Sequence, residues 1–148
     1  MSGTVPSLRR LALLGFALFL VGCGLGSSEI RYPETGATLE GTVTYNKEKV
    51  TAALIIAQNA SGSAQAFVDE SGHYKLENVP LGEVTLGVNT EAGKGQAMGR
   101  IMAQSQGKAK GAPKMIDVPK TYADPAASGI KTTIKAGPNE YDIAISPR

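Results

Sequence analysis

The fold is decided by the stretch Asp69-Glu70-Ser71-Gly72-His73-Tyr74-Lys75-Leu76-Glu77-Asn78-Val79-Pro80-Leu81-Gly82-Glu83-Val84-Thr85-Leu86. Its first four residues predict a hairpin turn, because the glycine accepts the positive φ that a tight turn needs. A second turn is predicted at residues 78–82. After each turn apolar and polar side chains alternate, first at Tyr74 and Leu76 and then at Val84 and Leu86. A period of two predicts half-buried β-strands.

The same alternation continues on both sides of this stretch. In residues 37–45 Leu39, Gly41 and Val43 alternate with polar residues, which predicts the first strand. Residues 50–57 are almost wholly apolar, so we expect this strand to be buried on both faces or to lie near a sheet centre. Further strands are predicted at residues 64–68, 73–77, 83–89, 130–134 and 141–145. The last two, joined by a turn at 135–139, predict a C-terminal hairpin.

Three motifs carry a resemblance to a known family. Gly41-Thr42-Val43-Thr44-Tyr45, the Asp69–Tyr74 turn and the return at residues 78–86 resemble the carboxypeptidase regulatory-like, transthyretin-like (prealbumin-like) β-sandwich family. The resemblance implies an all-β, seven-stranded antiparallel Greek-key β-sandwich over residues 37–148, with Tyr74 in its core. Because these glycines and prolines are turn chemistry, the motifs imply no activity.

The N-terminal segment predicts export and a lipid anchor. Arg9-Arg10 precedes an uncharged apolar run at residues 11–21, which has the length of a signal-peptide helix and is short for a membrane span. Leu20-Val21-Gly22-Cys23 resembles the lipobox of bacterial lipoproteins. The resemblance implies a signal peptide at 1–22, acylation of Cys23 and a flexible tether at 23–36. An ordinary signal peptide or an uncleaved anchor, with an incidental cysteine, is the alternative.

Anchoring through Cys23 places the predicted protein in the cell envelope. Gly24, rather than Asp, follows the cysteine. The sorting rule of some Gram-negative lipoproteins then implies the periplasmic face of the outer membrane. Two or three acyl chains are needed for stable anchoring, since one chain binds membranes only marginally.

The amino-acid composition of the chain disfavours several classes of function. Cleavage before Cys23 removes 22 of the 148 residues and leaves 126, enough for one domain with its own core. Losing Arg9 and Arg10 reduces the 15 Lys and Arg to 13, equal to the 13 Asp and Glu. A near-neutral domain gives no electrostatic reason to expect nucleic acid as a partner. Tryptophan is absent, which disfavours a sugar-stacking platform.

The sequence lacks the residues that catalytic and metal-binding sites usually need. His73 is the single histidine and Cys23 the single cysteine, so the chain cannot supply a multi-histidine or thiolate metal site. No Gly-x-Ser-x-Gly elbow and no phosphate-binding Gly-Lys-Ser/Thr loop occur. We therefore expect no metal, no cofactor and no catalytic residues. Calcium at Asp69 and Glu70, or Cu(I) at three methionines, are the alternatives to turn formation and packing; the methionines are Met98, Met102 and Met115.

A glycine-rich insert interrupts the strand pattern at residues 91–120. Met98, Ile101 and Met102 stand at helical spacing, so a short helix near 96–106 competes with an irregular segment. The insert holds the one basic patch of the sequence, formed by Lys94, Arg100, Lys108, Lys110 and Lys114. A solvated lobe is one interpretation. Contact with an anionic lipid, an anionic envelope polymer or an envelope protein is the other.

The run Val118-Pro119-Lys120-Thr121-Tyr122-Ala123-Asp124-Pro125-Ala126-Ala127-Ser128-Gly129 is the other distinctive segment. With the lipobox and the insert, it resembles a group of small bacterial envelope lipoproteins. Asp-Pro and Ser-Gly pairs initiate turns, because the short polar side chain accepts backbone N–H bonds. A ligand-facing loop is the alternative, and its candidate interaction residues are Tyr122, Asp124, Pro125, Ser128 and Gly129.

Together these features predict a non-catalytic, lipid-anchored β-sandwich that acts as a structural or protein-interaction module of the envelope. A module that binds a small ligand or glycan is the alternative, and it requires a concave patch with convergent polar groups. An enzyme would need perturbed acids brought together in a cleft, and the sequence offers four candidates: Asp117, Asp124, Glu140 and Asp142.

Overall fold

The computed structural model describes residues 34–104 and 115–147, which form two β-sheets and one long helix. The predicted signal peptide, the lipobox and the tether up to residue 33 lie outside the described residues. In chain order the elements are β1 Thr38–Tyr45, β2 Glu48–Lys49, β3 Leu54–Asn59, β4 Gly62–Phe67, β5 His73–Leu76, β6 Gly82–Asn89, α1 Thr90–Gln104, a 3₁₀ turn Lys120–Tyr122, α2 Pro125–Ser128, β7 Ile130–Ile134, β8 Pro138–Glu140 and β9 Ile143–Ile145.

The two sheets differ in their pairing. The four-stranded sheet has the order β4-β3-β6-β7 and is antiparallel throughout. In the other sheet β1 pairs antiparallel with β2 and β5, but parallel with β8 and β9. The β-sandwich-like, mostly β architecture agrees with the sequence prediction. The prediction of seven strands, all antiparallel, is wrong: the described residues hold nine strands, and one sheet is mixed.

The C-terminal hairpin is the second correction. β7 pairs with β6 in one sheet, whereas β8 and β9 pair with β1 in the other. Asn139 holds the crossing segment: its side chain accepts from Lys135 N at 2.9 Å and donates to the Lys135 and Gly137 carbonyls at 2.8 and 3.0 Å. Its amide also reaches the carbonyl of Thr38 in β1 at 3.1 Å. Because one side chain satisfies this backbone, the chain can leave β7 without a hairpin ladder.

The core follows the predicted alternation. Leu39 and Val43 of β1, Tyr74 of β5 and Leu86 of β6 are buried to within about a hundredth of their surface. Burying side chains of this size contributes roughly 1.5–3 kcal/mol each. β3 lies between β4 and β6, which confirms the sheet-centre prediction for this segment. It begins only at Leu54, however, and alternates between buried and half-buried residues rather than burying both faces.

Both predicted turns are present, but each connects strands of different sheets. In the first, the Asp69 carboxylate accepts from Ser71 N at 2.8 Å, Ser71 Oγ at 2.6 Å and His73 N at 2.9 Å. The Ser71 bonds lower the pKa of Asp69. Gly72 takes a φ of 83°. The Asp69 carboxylate is therefore bonded within the turn. The turn connects β4 in one sheet with β5 in the other, so these two strands do not pair as a hairpin.

A carbonyl group that points into the sheet explains two residues of the family resemblance. Between β8 and β9 the carbonyl oxygen of Tyr141 lies over Gly41, where an added Cβ would overlap it. Tyr74, the register partner of Gly41, donates its hydroxyl to the same oxygen at 2.6 Å. Burial raises the pKa of Tyr74, so the hydroxyl keeps its proton. The prediction that Tyr74 belongs to the core is confirmed.

Candidate interaction surface

Helix α1 is longer at its N-terminus than the sequence predicted. It runs from Thr90 to Gln104, whereas the methionine spacing indicated residues 96–106. The helix starts early because the Asn89 side chain accepts from Ala92 N at 3.0 Å, as an N-cap residue does. Since Asn89 is also the last residue of β6, the helix continues directly from the four-stranded sheet.

The first half of α1 is held against the sandwich at Gly93. Gly93 is buried, and a Cβ built on it would overlap the backbone of Ala52 and Ala53. Such contact of backbone with backbone is possible only at glycine. The glycine that counts against a helix by propensity is therefore the residue that lets this helix dock.

Among the described residues, two ion pairs join α1 to the segment that returns after it, residues 115–129. Lys94 pairs with Asp117, and Glu91 pairs with Lys120 at 2.9 Å. The bond to Glu91 raises the pKa of Lys120. Exposed pairs contribute little to stability, at most about 1 kcal/mol each, so their main effect here is to set the register of the two segments. We call α1 and residues 115–129 together the insert platform.

In the run at residues 118–129, the motif residues mainly hold this segment against β6. Asp124 caps α2 by accepting from Ala126 N at 2.9 Å, and Gly129 ends it with a φ of 73°. Ser128 is buried and donates to the carbonyl of Leu86 at 2.5 Å. Pro125 is buried, and Tyr122 is half-buried against the core. The predicted turn roles of the Asp-Pro and Ser-Gly pairs are thus present.

Only three of the five predicted interaction residues are exposed or half-exposed. Asp124 and Gly129 are exposed and Tyr122 is half-exposed, but the side chains of Pro125 and Ser128 face inward. The residues that the segment offers to solvent are instead mostly those between the motif positions: Lys120, Thr121, Ala126 and Ala127.

Gly87 is a packing position of the candidate surface that sequence reasoning missed. A Cβ on it would lie 2.8 Å from the carbonyl oxygen of Ala123 and 2.9 Å from Cδ of Pro125. Because this glycine has no side chain, the segment can pack closely against β6. A glycine inside an otherwise regular strand often marks such a close approach, so the signal was present in the run Val84-Thr85-Leu86-Gly87-Val88.

The outer half of α1, residues 95–103, exposes apolar side chains. Met98 is 37% exposed and Met102 is 67% exposed. Space is open around the Cβ positions of Gly95 and Gly99. Arg100 lies on the same half and donates to Gln96 at 2.9 Å.

The structure divides the predicted basic patch. Lys94 is engaged with Asp117, so its charge is compensated, whereas Arg100 is exposed on the outer half of α1. The remaining members, Lys108, Lys110 and Lys114, lie outside the described residues. Neither Met98 nor Met102 is a buried core residue, since the two side chains are 37% and 67% exposed.

A hollow of about 290 Å³ lies where α1 leaves β6. Its wall includes Asn89, Glu91, Asp117 and Lys120, together with the apolar side chains of Val88, Val118, Pro119 and Ala123. Polar groups converge here, as a ligand site requires. The volume is at the lower limit of the roughly 300–1,000 Å³ typical of ligand pockets, and none of the described residues that line the hollow is aromatic.

A second, more polar hollow of about 450 Å³ lies against β1 and β8. It is lined in part by Glu40, His73, Glu140 and Asp142. Asp142 is not free for chemistry, because it accepts from Thr42 N and Thr42 Oγ, both at 2.8 Å, and these bonds lower its pKa. Within residues 34–104 and 115–147, no three His, Cys, Asp or Glu side chains are grouped to hold a metal ion.

Comparisons with known proteins give structural likeness only. No protein-family model matches the chain, and no curated protein matches it. Its β-rich domain is similar to a DUF3823 family protein from Bacteroides ovatus, with a TM-score of 0.42, 18% identity, and coverage of 78% of this chain and 45% of that one. It is also similar to the Bacillus anthracis TIE protein, with a TM-score of 0.41, 15% identity, and coverage of 74% and 16%.

A third similar structure is the dioxygenase domain of a carbohydrate-binding fusion protein from Streptomyces sp. SirexAA-E. Its TM-score is 0.37 at 12% identity, with coverage of 80% of this chain and 84% of that one. The chain spans less than half the length of the first two structures. At these scores the likenesses assign no activity, ligand or partner to this chain.

In the described ranges no helix has the length and hydrophobicity to cross a bilayer.

Proposed function

We propose that the chain is a non-catalytic module of the bacterial cell envelope, anchored by acylated Cys23 in the lipobox Leu20-Val21-Gly22-Cys23. Its transthyretin-like, Greek-key sandwich carries the insert platform, which contacts an envelope protein or an anionic envelope polymer. One observation carries the proposal: the platform is held to the sandwich at Gly93 and Gly87, and ion pairs join its two segments to each other. A segment held at so many points offers a fixed surface, which is what recognition requires.

The structural contacts that the candidate acids make support a non-catalytic role. Asp117 pairs with Lys94, Asp124 caps α2, and Asp142 is bonded to Thr42. A general acid near neutral pH needs a raised pKa, whereas the pKa of Asp142 is lowered. Three of the four carboxylates that an enzyme could have used are thus assigned to structural contacts.

The hollow beside α1 supports the second candidate, a module that binds a small ligand or glycan. Its polar groups come from both α1 and the return segment, at Glu91 and Lys120. Two features favour the platform over the hollow. The hollow is small, and its described lining residues include no aromatic ring on which a sugar would stack.

Photocrosslinking tests the platform with a matched pair of positions. Ala126 in α2 and Ala144 in β9 are both exposed alanines, the first on the platform and the second on the five-stranded sheet. A photoreactive amino acid at Ala126 is expected to capture an envelope component in intact cells, and the same residue at Ala144 is not. Capture at Ala144 alone, or at both positions equally, contradicts the proposed surface. Capture at neither position in intact cells also contradicts it.

A further inference from the structure

Strand β4 is a sheet edge without the features that usually protect one. It stands at the end of the order β4-β3-β6-β7, so among the described residues it pairs with β3 alone. Natural proteins protect such edges with charged residues, proline or bulges, because unpaired N–H and C=O groups attract other strands. Residues 50–68, which include all of β4, contain no charged residue and no proline. This edge is therefore open to the addition of a strand.

The other sheet edges are protected by their sequence. In the described part of the chain each of them carries a charged residue or a proline, namely Lys49 in β2, Lys75 in β5, Lys131 in β7, and Pro138 and Glu140 in β8, which continues into β9. The uncharged edge at β4 is the exception. Such an exception indicates a strand that pairs with another chain.

The register of β4 shows which of its backbone groups face away from β3. Val68 N donates to the Ala53 carbonyl at 2.8 Å. In an antiparallel pair, residues that bond to the partner strand alternate with residues whose backbone groups face away from it. Counting back from Val68, the N–H and C=O groups of Ser63, Gln65 and Phe67 face away from β3. The side chains of these three residues are exposed, so a further strand can approach all of them.

Strand β4 of a second copy is self-complementary at this edge. In a two-fold antiparallel contact centred on Gln65, this residue lies opposite its own copy, and Ser63 lies opposite Phe67. The outward-facing backbone groups of both strands then meet, and a small side chain faces a large one. Because β4 carries no charge, the contact brings no like charges together.

An extended peptide of another protein fits the edge less well. Such a peptide has to be ordered when it binds, which costs conformational entropy. In a second copy, β3 already holds β4 in its extended conformation through the pairing from Leu54↔Phe67 to Asn59↔Gly62. The preformed strand therefore loses less entropy on binding.

We propose that two copies of the chain pair through β4 and join their four-stranded sheets into one continuous sheet. The contact lies on the sandwich, outside the insert platform, so the inference goes beyond the proposed function. A strand of six residues gives a small contact. Two copies anchored in one membrane have a raised effective concentration, which strengthens it. Only this strengthening rests on the anchor proposed at Cys23.

Disulfide formation tests the contact and its register. The Cα atoms of a hydrogen-bonded antiparallel pair lie about 5.5 Å apart, which a disulfide can span. The full-length Gln65→Cys chain in its native membranes is therefore expected to form a dimer on oxidation with copper phenanthroline. Ser63→Cys alone is not, because its copy lies more than about 13 Å away along the strands. Co-expressed Ser63→Cys and Phe67→Cys chains are expected to crosslink. Thr133→Cys on β7, the other edge of the sheet, is the control and should not.

A pair of lysine substitutions tests the role of the uncharged edge. Gln65→Lys places a positive charge opposite its own copy, so the disulfide between Ser63→Cys and Phe67→Cys chains should be lost. Gln58→Lys is the matched control, because Gln58 is an exposed glutamine on β3, one strand away from the contact. This variant should keep the disulfide. Both positions are exposed, so neither lysine is expected to change unfolding by urea.

Three outcomes overturn the inference. One is the absence of a Gln65→Cys dimer both in membranes and in the concentrated purified chain. Another is a Ser63→Cys or Thr133→Cys dimer as abundant as that of Gln65→Cys, which indicates random collision. The third is a disulfide that survives Gln65→Lys. Peptide mass spectrometry locates each disulfide, so a bond at Cys23, which contradicts the anchor, is distinguishable from a bond at residue 65.

Discussion

Gly41→Ala is expected to lower the free energy of unfolding by about 3 kcal/mol or more, a severe loss for a domain of this size. The added methyl group would occupy the place of the Tyr141 carbonyl oxygen. That carbonyl cannot move away freely, because Tyr141 N donates to the Glu40 carbonyl at 2.9 Å and the Asp142 side chain is bonded to Thr42. The clash therefore separates β8 and β9 from β1, which is their partner in the sheet.

Urea unfolding of the purified chain measures this loss, and Tyr74→Phe gives an independent reading of the same contact. Phenylalanine keeps the buried ring but leaves the Tyr141 carbonyl without its 2.6 Å donor, which costs about 1–3 kcal/mol. If Gly41→Ala unfolds at the same urea concentration as the wild type, the close approach of Tyr141 to β1 is wrong. A neutral Tyr74→Phe would contradict the hydroxyl bond alone.

Gly93→Ala is the second change with a large expected effect. The methyl group would overlap the backbone of Ala52 and Ala53, so the first half of α1 has to move away from the sandwich. We expect a loss of about 3 kcal/mol if the helix stays attached. If it detaches instead, the amides of residues 90–104 lose their protection from hydrogen exchange while the strand amides keep theirs.

The control lies two residues further along the same helix. Gly95→Ala meets open space, so the helix propensity of alanine should act alone and stabilise α1 by about 1 kcal/mol. Opposite signs for two glycine-to-alanine changes in one helix distinguish docking from propensity. Hydrogen exchange and urea unfolding read both variants. A stabilising Gly93→Ala would mean that α1 does not pack on Ala53.

The parts that sequence reasoning predicted correctly are those that local chemistry determines. The Asp69 turn, the inward side chains of alternating strands and the cap at Asp124 each depend on residues within a few positions of one another. Local residues satisfy the backbone bonds of such elements, so the pattern alone indicates them.

The parts that it missed depend on contacts between distant segments. Asn139 holds the crossing into the parallel strand β8 by a bond to the distant Thr38 carbonyl, and no periodicity in the sequence distinguishes that crossing from a hairpin. Gly87 and Gly93 look like weak points of a strand and a helix until the segments that lie against them are known. Within the candidate interaction segment, the motif did not indicate which side chains are exposed, because Pro125 and Ser128 face inward.

The claim on which the proposed function depends most is the lipid anchor at Cys23, and the intact mass of the protein extracted from its native membranes tests it directly. We predict a chain that begins at Cys23 and carries a diacylglyceryl group on the thiol, with a further acyl chain on the new amine. Such a mass places the sandwich and its platform at the membrane. An unmodified chain, or one that begins at another residue, would contradict the anchor and with it the envelope role proposed for the insert platform.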